Sequence, residues 1–165
     1  MFGIGQFEND AIEMLKKDHQ EVDSLFDTYE SKKDKAKPSE KRQIAKLICH
    51  ALTVHAAIEE EIFYPAVRKQ GSENVKDQLD EAAVEHQSLK DIVGRLESAS
   101  PSDTLYDAGV KVLSEYVKHH VKEEEGQLFP KVRATDIDLE ALGQQMRARK
   151  EELEGTSTRK VRNAA

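Results

Sequence analysis

An all-α fold is what this sequence predicts: an up-and-down antiparallel four-helix bundle with a short additional C-terminal helix. Three observations carry that reading. The 165 residues are 35% charged and rich in Ala, Leu, Glu and Lys, with no Trp, four Pro and eight Gly, a mixture that favours helix. Apolar residues recur at spacings of three and four through four long segments, the period of a helix face. Short breaks separate those segments, as antiparallel neighbours in a bundle require.

The first segment spans residues 8–29, with Ile12, Leu15, Val22, Phe26 and Tyr29 on one stripe and His19 filling the inward position between Leu15 and Val22. Lys32-Lys33-Asp34-Lys35 breaks the pattern, and Pro38 suits the first turn of the second helix. That helix carries Ile44, Leu47, Ile48, Ala51, Leu52, His55, Glu59 and Ile62 and ends near Gly71. Ser72 opens the third, whose stripe is Val75, Leu79, Ala82, His86, Leu89, Val93 and Leu96. Ser100-Pro101-Ser102-Asp103 forms a turn and cap before the fourth, with Leu105, Gly109, Val112, Leu113, Tyr116, Val117, His120, Glu124 and Leu128. Residues 1–7 form an N-terminal lead, 8–133 the bundle, 136–154 an accessory helix through Leu139, Leu142, Met146 and Leu153, and 155–165 a flexible basic tail that a partner protein could touch.

Composition excludes several classes. A net charge of −7 opposes nucleic acid, whose phosphates need a basic surface. The single Cys49 forms no intrachain disulfide and no thiolate-rich zinc site. No apolar run reaches membrane-spanning length, and the first residues lack the pattern of a signal peptide, so a cytoplasmic chain with no membrane partner is expected.

One phrase occurs twice: His55-xxx-Glu59-Glu60 leading to Pro65, and His120-xxx-Glu124-Glu125 leading to Pro130. Each copy has a histidine upstream, His19 lying 36 residues before His55 and His86 lying 34 before His120. Histidine and glutamate four apart share one helix face and can aim two ligands at one point. The four histidines fall near the midpoints of the four helices, so at about 1.5 Å rise per residue they share one layer across the bundle. A lone inward histidine is ordinarily a core residue bonded to a carbonyl. Six polar groups at core positions are different, since leaving them uncompensated costs on the order of 10 kcal/mol, comparable with a domain's whole net stability. Cations turn those orphans into ligands. Imidazole and carboxylate without thiolate suit iron, manganese or zinc. Neither ExxH nor HExxH occurs, so the ferritin-like ligand pattern and a zinc protease are excluded.

These residues, with Asp18-His19, Tyr64-Pro65, Glu85-His86 and Phe129-Pro130, resemble the hemerythrin-like, HHE cation-binding family over about residues 10–133. The resemblance implies a centre of two iron ions, oxo- or hydroxo-bridged, inside a four-helix bundle. His19, His55, His86 and His120 would then be terminal ligands and Glu59 and Glu124 bridging carboxylates. The oxygen-carrying members have a fifth histidine four residues after the third. Lys90 stands there, and Lys cannot ligate while protonated. Their acidic ligand in the last helix also stands one residue later, at Glu125; here Glu124 is favoured over Glu125. Fewer histidines leave an open iron position for a small ligand: O2, NO or H2O2. Binding for sensing, buffering or detoxification is the first reading. A catalase-like enzyme decomposing hydrogen peroxide and an iron or oxygen sensor read by a protein partner are the alternatives. His50 and His119 lie about 140° and 100° around their helices from His55 and His120 and are expected at the surface. Tyr64, Tyr116, Glu60 and Glu125 are expected beside the centre at most, and Cys49 is expected to pack as a small apolar group.

Overall fold

Asp10 starts the first helix by accepting a hydrogen bond from the Glu13 amide at 2.9 Å, satisfying one of the orphan donors of the first turn. In this computed structural model the described residues are 10–163, with side chains described through Gly155; the expected lead at 1–7 lies outside them. Helix α1 runs Ala11–Lys32. Pro38 opens α2, Pro38–Ile58, where its missing N–H is no loss. A π turn, Glu59–Phe63, continues the same rod into α3, Tyr64–Gln70. Ser72 accepts from the Val75 amide and caps α4, Glu73–Ser98. Then α5, Tyr106–Glu123, passes through a second π turn, Glu124–Leu128, into α6, Phe129–Arg133. The last helix, α7, runs Leu139–Asn163.

The chain is all-α, and no strand occurs among the described residues. The neighbours α1·α2, α2·α4, α4·α5 and α5·α1 close a square, the expected four-helix bundle. Helix α7 lies along α1 and α2, burying Leu142 and Met146 against one end of the core. It continues past Glu154, where the accessory helix was expected to stop and a flexible tail to begin. A single exposed Gly155 costs a helix only about 1 kcal/mol, too little to terminate one already propagating. No helix among the described residues is long and apolar enough to cross a membrane.

The two π turns were not foreseen. The Tyr64 amide bonds Glu59 O and the Phe129 amide bonds Glu124 O, each five residues back. Pro65 and Pro130 explain the location, because a proline inside a helix lacks its donor and crowds the carbonyl four residues earlier. Widening the preceding turn by one residue relieves that conflict without breaking the rod.

The apolar core is split in two. One cluster gathers Ile12, Leu15, Ile58, Phe63, Leu79, Phe129 and Met146. The other gathers Phe26, Tyr29, Ile48, Cys49, Val93 and Leu113. Between them lies the polar layer, with His19, His55, Glu59, His86, His120 and Glu124 all buried. Every apolar residue expected on the stripes of α1 and α4 is buried. The stripe expected for α5 needs correction: Leu105 is 76% exposed, Val112 47% and Tyr116 39%, and in α2 Leu47 is 56% exposed. Adjacent pairs such as Val112-Leu113 and Tyr116-Val117 lie 100° apart on a helix, so only one of each can face inward; the helix chooses Leu113 and Val117.

Candidate metal centre

Mid-helix placement on four rods brings the six expected residues together, and it divides them into two groups of potential ligand atoms. His19, His55, Glu59 and Glu124 form one, and Glu59, His86 and His120 the other, with each group's atoms within 4.8 Å of one another. Glu59 belongs to both. Its Oε1 is 3.0 Å from His55 Nε2 and its Oε2 is 3.1 Å from His86 Nε2, the disposition of a carboxylate spanning two positions. Glu124 Oε2 lies 3.3 Å from His19 Nε2 and 3.8 Å from His120 Nε2. Glu124 is buried and faces the centre, whereas the Glu125 side chain is 36% exposed.

Each histidine is held from behind by a carboxylate. His19 Nδ1 donates to Glu125 at 2.7 Å, His55 Nδ1 to Asp18 at 3.3 Å, His86 Nδ1 to Glu60 at 2.9 Å and His120 Nδ1 to Glu85 at 2.5 Å. A proton on Nδ1 leaves the Nε2 lone pair of the neutral ring pointing inward, the tautomer a metal needs. Glu60 is braced by Lys90 at 2.6 Å and Asp18 by Lys150 of α7 at 2.7 Å. Bonds to His120 hold the Glu85 carboxyl below its ordinary range. Burial works to raise Asp18, but His55 and Lys150 outweigh it and hold it low.

The donors demand positive charge. His19 and His55 meet Nε2 to Nε2 at 3.1 Å, and His86 and His120 at 3.2 Å. Two inward lone pairs cannot share such a distance without a cation or proton between them. Glu59 Oε1 and Glu124 Oε2 are buried and find no hydrogen bond, a costly state for a carboxylate oxygen. Burial opposes charge on His55, yet the attraction of the adjacent Glu59 carboxylate and the bond to Asp18 prevail and raise it to about 10. Glu124 is pushed up by burial and by the neighbouring Glu59 charge. Glu59 is held well below the usual carboxylate range, because the pull of His55 and His86 overcomes its burial. In the metal-free chain the proton held on His55 supplies part of that charge, and a bound metal ion would displace it.

Tyr64 is more central than its sequence position suggested. Its hydroxyl donates to Glu59 Oε2 at 3.1 Å and Glu124 Oε1 at 2.9 Å. Burial and both carboxylates raise its pKa well above the ordinary phenol value, so it keeps its proton. At the matching place in the second copy, Phe129 stacks on His19. Tyr116 points outward, exposed at the surface. His50 is half-buried on α2 away from the centre. His119 is 62% exposed and pairs with Glu123. Among the described residues, an axial cavity and a side pocket both reach the layer. A mostly apolar cavity of about 40 Å³ lies between the four helices, lined by Val22, Leu52, Leu89, Val93 and Val117 beside the four rings, with Asp18 and Lys90 also in its lining. A polar pocket opens between α4 and α5.

Fold and donor set together define a metal-binding four-helix bundle. The family model described as the hemerythrin HHE cation binding domain matches residues 10–132, and the chain belongs to that family. A solved structure of a hemerythrin HHE cation binding domain-containing protein from Mycobacterium kansasii superposes with a TM-score of 0.74 at 26% identity, covering 93% of this chain and 92% of that one. A protein of Nostoc sp. described as a DNA nickase is 30% identical over 121 residues, 73% of this chain. This chain spans only 33% of that relative's length.

Proposed function

We propose that the buried layer holds two iron ions and binds a small ligand, O2, NO or hydrogen peroxide, for sensing, buffering or detoxification. The observation that carries this reading is Glu59, whose two oxygens face one histidine of each pair at 3.0 and 3.1 Å. His19 and His55 would hold one ion, His86 and His120 the other, with Glu59 and Glu124 spanning both. What a bound iron pair supplies is an open coordination position and reversible one-electron chemistry.

The protein's own part is selection and protection. A cavity of about 40 Å³ has room for a diatomic molecule or peroxide, since about 10–15 Å³ of such space already admits one water. Its apolar walls favour a neutral ligand over an ion. A catalase-like reaction, two H2O2 giving two H2O and one O2, is the second reading, and Tyr64 favours it. Its retained hydroxyl proton lies within hydrogen-bonding reach of both glutamates. No DNA chemistry is assigned: the match covers only 33% of the Nostoc relative, and a net charge of −7 repels a polyanion.

Metal analysis and an absorption spectrum, taken with and without peroxide beside an oxygen-electrode trace, test both readings. Two irons per chain with near-ultraviolet charge-transfer bands and no heme band are expected. One ion per chain, or zinc alone after growth with ample iron, rejects the di-iron reading. Oxygen release from peroxide selects the enzyme, and a stable ligand adduct without turnover selects the binding protein.

A further inference from the structure

The two openings onto the polar layer differ in chemistry. The cavity along the bundle axis is walled mostly by valines and leucines, with the four rings at one side and Asp18 and Lys90 also in its lining. The other, about 50 Å³ between α4 and the end of α5, is lined by Glu81, Glu85 and Glu123 and has His120 and Glu124 at its inner end. At its rim Glu85, His119 and Glu123 bring three potential ligand atoms within 4.8 Å, with His119 Nε2 3.4 Å from Glu123 and 3.8 Å from Glu85. An acidic cluster alone signifies little, but this one leads to a buried carboxylate. Glu124 is 3% exposed, and its Oε2 finds no hydrogen bond.

We infer that this acid-lined pocket is the route by which metal reaches the centre, with Glu85, His119 and Glu123 as the surface station that first captures a divalent cation. The inference rests on the layer being a metal site. A hydrated dication entering the axial cavity would cross a largely apolar wall that also carries the Lys90 ammonium, shedding water before it reached the rings. In the acidic pocket, carboxylate oxygens replace water at each stage: Glu81 and Glu123 outside, Glu85 next, Glu124 within. Glu85 also bonds the ligand His120 at 2.5 Å, so the station adjoins the first ring a cation meets. Gln78 and Gln127, bonded to each other at 3.0 Å, border the pocket. Neutral ligand and charged metal thus have separate doors.

The test is metal uptake by the full chain stripped with a chelator, followed by stopped flow with Co2+, whose ligand-field bands report binding without redox chemistry. The double variant Glu81→Gln/Glu123→Gln should reach wild-type stoichiometry roughly tenfold more slowly at low salt, and the difference should shrink as salt screens the attraction. His119→Ala, at an exposed position, should also slow uptake and covers the case in which the double variant misfolds. Glu30→Gln/Asp34→Asn makes the same charge change at the opposite end of the bundle and should fill at the wild-type rate. Filling of the pocket variants at the wild-type rate, or equal slowing by the control pair, overturns the route. Wild-type protein that takes up no cobalt into the buried layer overturns the metal centre itself, a distinguishable result.

Discussion

Asp18, the residue immediately before His19, braces His55 rather than its neighbour, with Oδ2 3.3 Å from His55 Nδ1. Glu85 repeats the relationship, preceding His86 yet bonding His120 at 2.5 Å. Each upstream helix therefore supplies one inward ring and one carboxylate for the ring on its partner helix. The rings of a pair are oriented jointly, and two such pairs face each other across Glu59 and Glu124.

Because the bracing is paired, Asp18→Asn should weaken one half of the centre. Loss of a carboxylate behind a ligating histidine typically lowers metal affinity about 10–100-fold. Competition with a graded chelator should release one metal per chain early and the second near the wild-type concentration. Glu85→Gln should do the same for the other half. Simultaneous release of both ions from Asp18→Asn contradicts independent halves.

Glu59→Ala should empty the centre more completely than His120→Ala, since Glu59 faces a histidine of each pair and His120 serves one side. Both should lower the melting temperature of the iron-loaded protein. His50→Ala, away from the layer, should change stability by about 1 kcal/mol or less. Metal content and thermal melts check this, and a full centre in Glu59→Ala refutes the spanning role.

Tyr64→Phe removes the one hydroxyl donating to both glutamates while keeping the ring, and Phe129 already occupies the matching place in the second copy. The metal-free protein should lose about 1–3 kcal/mol, the cost of leaving buried acceptors without a donor. Urea unfolding of stripped wild type and variant measures the difference. An unchanged midpoint means the hydroxyl contributes nothing there.

Stability of the metal-free protein should fall with rising pH. His55 has its pKa raised to about 10 in the folded chain, because the adjacent Glu59 carboxylate and the bond to Asp18 overcome its burial, against about 6.5 unfolded. Its contribution is complete below about pH 6.5 and is lost as pH climbs through about 10. The iron-loaded protein, holding neutral rings, should not share the loss, and loading should release protons. Urea midpoints between pH 6 and 10, with and without metal, decide it.

From the sequence alone, four helices, their order and the depth of the four histidines were readable, because three-four spacing records which face is buried and the pattern has an imidazole wherever the polar layer cuts it. The His-xxx-Glu repeat also identified the six buried polar residues that converge. Adjacent apolar pairs on α5 were not decidable, since either member satisfies the same period and only packing against α1 and α4 selects Leu113 over Val112. The bracing carboxylates were in view as Asp18-His19, Glu85-His86 and the two Glu-Glu pairs, yet their partners lie on other helices, at a separation no local period encodes. Tertiary structure alone made Tyr64 central, through the π turn that re-aims the chain between Glu59 and Pro65. It also placed Lys150 of α7 against Asp18 and gave the polar layer two mouths, because cavities arise where helices meet.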